Sequence, residues 1–132
     1  MLLVDTKVLV DVLQDDPQWA DWSVGQLRAQ AKVHELVINP VLYAEISLSF
    51  STLEALDRVV DTFGLAMREI PLPALFLAGK AYAQYRRRGA SKAQVLPDFF
   101  IGAHAAVEGW PLLTRDANRF RTYFPSLRVI AP

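Results

Sequence analysis

Short unbroken apolar runs alternate along the chain with longer stretches in which apolar residues recur every three or four positions, the pattern expected of buried strands separated by helices. Leu2-Leu3-Val4-Asp5 reads as a strand, and a short helix follows around Val8 to Leu13. Asp16-Pro17 supplies a cap and a first-turn proline for a helix over Trp19 to Gln30. Val33 to Ile38 is a second strand, after which Asn39-Pro40 repeats the cap-plus-proline signal and opens a helix to about Phe50. Ser51 starts another helix that runs to Phe63, and Ala66 to Ile70 is a weaker third strand. Leu72-Pro73 begins a long helix ending near Arg88-Gly89, and Pro97 begins one ending near Glu108-Gly109. Leu112 to Thr114 and Arg128 to Ile130 complete the strands, with a short helix over Ala117 to Tyr123 between them. Such alternation predicts an α/β fold: a parallel sheet covered by helices on both faces and joined by right-handed crossovers.

Composition narrows the picture without changing it. The 132 residues, 52% of them hydrophobic, suit one domain spanning 1–132 with a substantial core. Fourteen basic and fourteen acidic residues cancel, so any case for a nucleic-acid partner has to rest on local clusters. Without cysteine there is no disulfide framework, thiolate nucleophile or thiolate metal site, which suits a reducing compartment and makes the cytoplasm the default expectation. The apolar start of the chain lacks a basic leader and is broken by Asp5, Lys7 and Asp11, so neither a signal peptide nor a membrane partner is expected. No apolar stretch approaches the ~20 residues of a membrane-spanning helix.

Four acids stand out on this scaffold. Asp5 and Asp116 lie at or just past the carboxyl ends of two strands, where side chains of an α/β sheet converge on a ligand crevice. Glu45 shares a helix face with Val41, Leu42, Leu48 and Ser49, an apolar setting for a carboxylate. Asp98 follows Pro97 in a first helical turn, where the helix dipole favours negative charge. Each also has a plain reading: Asp5 and Asp116 as caps, Asp98 as an ordinary first-turn acid. Gathered at one end of a sheet, however, four carboxylates raise one another's pKa and oppose folding unless protons or cations neutralise them. Oxygen ligands alone suit a hard divalent ion, Mg2+ or Mn2+.

These residues resemble those of the PIN-domain ribonucleases, and in particular the toxin components of VapBC-type toxin–antitoxin systems. The likeness is carried by Asp5-Thr6 after an amino-terminal strand, Glu45, Pro97-Asp98 opening a helix, Leu113-Thr114-Arg115-Asp116 after a strand, the later Phe120 and the closing strand Leu127 to Ile130. It implies a three-layer α/β/α fold with a five-stranded, mainly parallel sheet. It also implies a magnesium-dependent endoribonuclease of a type II toxin–antitoxin system, a homodimer that cuts RNA and is inhibited by a cognate antitoxin. On this reading Asp5, Glu45, Asp98 and Asp116 position one or two metal ions for in-line attack on a phosphodiester, and no single carboxylate is assigned as a general base. Thr6 and Thr114 are candidate outer hydroxyls that orient carboxylates or water.

Lys7 departs from the family pattern, which usually has Asn or Ser after Asp-Thr. Its cation can pair with Asp5 or Asp116 and compete with metal, contact a scissile phosphate, or face solvent. Asp11 reads as a helix-surface acid, and His34 and His104 read as structural or solvent-facing residues rather than catalytic ones. Arg86, Arg87 and Arg88, followed by Gly89 and Lys92, form one candidate RNA-contacting patch, although arginines at a helix end also meet the dipole. Arg115, Arg119 and Arg121 form the other, and Arg115 can equally anchor an antitoxin carboxylate. Tyr82, Tyr85 and Trp110 read as core or interface aromatics. Two rivals remain: a non-catalytic PIN-like binding module, made conceivable by Lys7, and a phospho-acceptor receiver domain. The receiver reading is weak, since its acceptor aspartate would end the middle strand and the third strand here ends Arg68-Glu69-Ile70-Pro71.

Overall fold

A computed structural model of the chain describes residues 1–89 and 95–132. Lys92, a proposed member of the first basic patch, lies outside the described residues. The elements follow the expected alternation: β1 (Leu2–Val4), α1 (Thr6–Leu13), α2 (Ala20–Ala31), β2 (Leu36–Ile38), α3 (Pro40–Ile46), a 3-10 turn (Ser47–Ser49) and α4 (Leu53–Thr62). Then come β3 (Ala66–Met67), α5 (Leu72–Arg87), α6 (Leu96–Glu108), β4 (Leu112–Leu113), α7 (Asn118–Tyr123) and β5 (Val129–Ile130). The five strands form one sheet in the order β3-β2-β1-β4-β5, every neighbouring pair parallel. Helices cover both faces, as an all-parallel sheet requires. The receiver reading fails on this order, because β3 is an edge strand that ends in Met67 and brings no aspartate to the centre.

Sequence explains the element boundaries. Asn39 caps α3, its Oδ1 accepting the Leu42 N–H at 2.9 Å, and Thr52 caps α4 by accepting the Ala55 N–H at 3.2 Å. Asp16 Oδ1 accepts from the Gln18 and Trp19 N–H groups and leads the chain into α2. β2 is shorter than expected, since the Val33 and His34 N–H groups turn back to the Gln30 carbonyl and close α2 instead of joining the sheet. α3 also stops early: Ser47 Oγ donates to the Ala44 carbonyl at 2.6 Å, a local bond that competes with continued helix. α6 ends on Gly109, whose φ of 72° is the left-handed conformation that glycine adopts without strain. Gly102 serves packing instead, because a Cβ there would lie 2.5 Å from the Phe124 ring.

β1 carries the core. Leu2, Leu3 and Val4 are fully buried between β2 and β4, which are equally apolar. Its carboxyl end therefore stops at the centre of the sheet, and Asp5 stands there.

Candidate active site

Asp5 occupies the position before α1 yet makes no side-chain cap, which removes its plain structural reading. Its Oδ2 instead accepts the Thr114 Oγ1–H at 2.7 Å, a bond between the ends of the two central strands. Burial raises the Asp5 pKa to about 6, against the Thr114 hydrogen bond and with the Asp98 charge adding to the rise. Lys7 and the Thr6 N–H only partly offset this.

The other acids reach the same crevice from different elements. Glu45, half-buried on α3, accepts the Thr6 Oγ1–H at 3.1 Å. Desolvation, the Asp5 charge and the Asp98 charge all push its pKa up, with Thr6 and Lys7 opposing. Asp98, in the first turn of α6, receives a hydrogen bond from Arg119 Nη1 on α7, but desolvation still raises its pKa and Asp116 adds to the rise. Asp116 does not cap α7, whose preceding residue is Ala117. It lies 3.7 Å from Lys7 Nζ, with both side chains more than half exposed. Thr114 Oγ1 also accepts the Asp116 N–H at 3.2 Å, so one hydroxyl ties two of the acids together.

Asp5, Glu45 and Asp98 thus act on one another's charge, Asp116 acts on Asp98, and two cations, Lys7 and Arg119, lie among them. The cations pair with Asp116 and Asp98, and Lys7 acts on Asp5 and Glu45 only through its field, with no ion pair to either among the described residues. Among the described residues, no three His, Asp or Glu side chains come close enough to hold a metal ion together. The donors themselves suit a divalent cation: all are oxygens, they raise one another's pKa, and their negative charge exceeds the local positive charge.

Arg86, Arg87 and Arg88 are exposed at the end of α5, and the Arg88 guanidinium lies 5.1 Å from the Tyr123 ring centre. Asp11 is not a surface acid but 2% exposed, and its Oδ2 lies 3.0 Å from Arg115 Nε. The sequence held no signal for this, because its partner is more than a hundred positions away. Arg119, a candidate for the second basic patch, instead pairs with Asp98.

His104 was open to a structural or a solvent-facing reading, and solvent does not reach it. It is fully buried against Trp110, with ring centres 5.1 Å apart. Asn39 Oδ1 is committed to the Leu42 N–H, so Asn39 Nδ2 donates to His104 Nδ1 at 3.1 Å. The imidazole proton consequently sits on Nε2, and burial holds the His104 pKa below its ordinary value.

Comparison with known proteins places this architecture. The sequence matches the family model of the PIN domain over residues 2–124. No curated protein sequence matches it. Among solved structures it is similar to a VapBC2 complex from Rickettsia felis bound to a promoter DNA fragment, with TM-score 0.74 and 19% identity over 98% of this chain and 97% of that one. VapBC-1 from nontypeable Haemophilus influenzae gives TM-score 0.73 and 16% identity over 98% and 96%. A toxin–antitoxin complex from Klebsiella pneumoniae gives TM-score 0.65 and 20% identity over 100% and 98%. At these identities the structures speak to the fold alone.

Proposed function

This chain belongs to the PIN-domain family, and from that premise we propose that it is a metal-dependent endoribonuclease, the toxin of a type II toxin–antitoxin pair. The observation that carries the proposal is Asp5: a buried carboxylate at the end of the central strand, in no ion pair among the described residues and facing the Glu45 and Asp98 charges. Folding spends stability to keep that group there, which a purely structural role does not require. PIN domains are generally nucleases, and the Klebsiella pneumoniae neighbour is a toxin–antitoxin complex.

Asp5, Glu45, Asp98 and Asp116 would hold Mg2+ or Mn2+. When bound, the ion supplies activation of water and neutralisation of the phosphate oxygens during phosphodiester hydrolysis. The chain's own residues set the stage. Thr114 and Thr6 fix the orientations of Asp5 and Glu45 through the bonds described above. Lys7 and Arg119 lend positive charge to the crevice, and they compete with the metal for Asp116 and Asp98. Lys7→Asn should therefore tighten Mg2+ binding, by about two- to fivefold given the small value of exposed ion pairs. An unchanged or larger metal requirement for half-maximal cleavage would show that Lys7 does not compete.

An antitoxin partner, a cytoplasmic setting and a homodimer complete the proposal. Among the described residues no helix is long and apolar enough to cross a membrane. Five apolar residues on the middle helices, Leu48, Phe50, Leu53, Leu56 and Phe76, are candidates for a dimer face: Leu56 is buried in the core and Phe50 half-buried, whereas Leu48, Leu53 and Phe76 are exposed, Leu48 by 89%. Leu48 also borders a shallow apolar hollow of about 610 Å³ with Val41, Pro97 and Phe100, and Glu45 stands at its rim. An apolar face of this kind suits a partner copy. A monomeric mass by light scattering at high micromolar concentration would rule the dimer out.

Brief expression in cells, followed by mapping of new RNA 5′ ends, tests the function. Ends that arise with the wild-type chain and not with Asp98→Asn support a nuclease. Their absence with both favours the rival, a non-catalytic binding module.

A further inference from the structure

Arg115 borders the acidic crevice, yet its side chain is anchored away from it. Nε lies 3.0 Å from Asp11 Oδ2, an ion pair without hydrogen-bond alignment, and the guanidinium carbon lies 5.4 Å from the Trp19 ring centre. Asp11 is buried, and the same Oδ2 accepts the Ser23 Oγ–H at 2.9 Å. Asp16 in turn fixes Trp19 by accepting its N–H. An acid from α1, a hydroxyl from α2 and a ring from the turn between them thus form a socket that one arginine fills.

We propose that Arg115 is a positioning residue: it fastens the Thr114–Asp116 segment to the α1–α2 hairpin and so sets the geometry of Asp5 and Asp116. The inference rests on the nuclease reading above. Main-chain pairing of β4 runs out at this point, since the Thr114 N–H bonds to the Ile130 carbonyl at 3.0 Å and the Asp116 N–H turns to the Thr114 hydroxyl. Beyond Thr114 the Arg115 side chain takes over the anchoring. The same Thr114 hydroxyl holds Asp5, so looseness in this segment reaches the central carboxylate directly. Asp11 makes the idea separable from an RNA or antitoxin contact. Being 2% exposed, it cannot touch either. A contact role belongs to Arg115 alone, whereas a positioning role is shared by both members of the pair.

The test compares wild type with Arg115→Ala, Arg115→Lys, Asp11→Asn and the Arg115→Ala/Asp11→Asn double variant. It reads Mn2+ affinity from the electron paramagnetic resonance signal of free Mn2+, together with kcat and KM on RNA. Arg115→Ala and Asp11→Asn should each weaken Mn2+ binding and lower kcat by about ten- to a hundredfold, the range for groups that orient metal ligands. KM should stay within about twofold, because substrate binding is untouched. The double variant should be little worse than either single one, since both remove the same contact. Lysine reaches Asp11 without the planar fork, so Arg115→Lys should recover part of the loss. Should Arg115→Ala unfold, Arg115→Lys and Asp11→Asn carry the comparison. A raised KM with unchanged kcat and Mn2+ affinity in Arg115→Ala, alongside wild-type behaviour of Asp11→Asn, overturns the proposal and makes Arg115 a substrate contact. A wild-type chain that neither binds Mn2+ nor cleaves RNA is a different failure, that of the nuclease reading, and takes this inference with it.

Discussion

Asp5→Asn is expected to abolish RNA cleavage and, in metal-free protein above pH 6, to raise stability. The two effects have one cause. Asp5 has a pKa of about 6 in the fold against 3.8 as a free side chain, so the folded state binds its proton more tightly than the unfolded chain does. Its contribution to stability is therefore greatest below pH 3.8, where the group is protonated in both states, and is lost as pH rises through about 6. That rise corresponds to ~3 kcal/mol at neutral pH. Asn carries no charge and retains a carbonyl for the Thr114 hydroxyl, while its buried NH2 takes back part of the gain, leaving about 1–3 kcal/mol. Activity moves the other way. Loss of a central carboxylate should reduce cleavage by more than about a hundredfold, beyond the usual cost of removing an outer-shell partner. Mg2+ should raise the wild-type melting temperature and leave that of the Asn variant nearly unchanged, because only the former site gains from binding. Denaturant titrations with and without Mg2+ at pH 8 check both arms, and an Asn variant less stable than metal-free wild type would show that Asp5 is a structural group.

Phe99→Ala is expected to cost about 3–5 kcal/mol, a large part of the 5–15 kcal/mol that holds a domain together. Phe99 is fully buried and sits at the centre of an aromatic cluster. Its ring centre lies 5.4 Å from those of Tyr82 and Tyr85 on α5 and 5.3 Å from that of Tyr123 on α7. Phe124 is 6.2 Å away. The contacts with Tyr82 and Tyr123 are edge-to-face and add to the apolar burial. The cluster also joins the helices that bring Asp98 and Arg119 together, so cleavage should fall with stability. A urea midpoint changed by less than the equivalent of about 1 kcal/mol would mean that the neighbouring rings close over the cavity.

Much of this arrangement is legible in the chain because it depends on local chemistry. Leu2-Leu3-Val4 is too apolar for anything but a buried strand, and Asn39-Pro40 marks the start of α3 with a cap that forms as expected. Asp5 could be singled out because a carboxylate ending such a strand has no local reason to be there. Lys7 could be linked to Asp116 because both follow strand ends. What escaped detection depends on distant pairs. Asp11 looks like a surface acid until Arg115 and Ser23 close over it. Arg119 looks like part of a basic patch until α7 folds back on α6 and delivers it to Asp98. Val33 and His34 read as strand because their side chains suit one, while their N–H groups finish the preceding helix. The strand order likewise follows from packing of helices across the sheet, about which local patterns are silent.

Purified chain stripped of metal with a chelator, mixed with a structured RNA and then given Mg2+ or Mn2+, provides the most direct measurement. New 5′ ends at discrete positions should appear only after metal is restored, and Asp98→Asn should give none under the same conditions. Discrete cleavage that persists in excess chelator, or that Asp98→Asn performs at the wild-type rate, would contradict a metal-dependent carboxylate site.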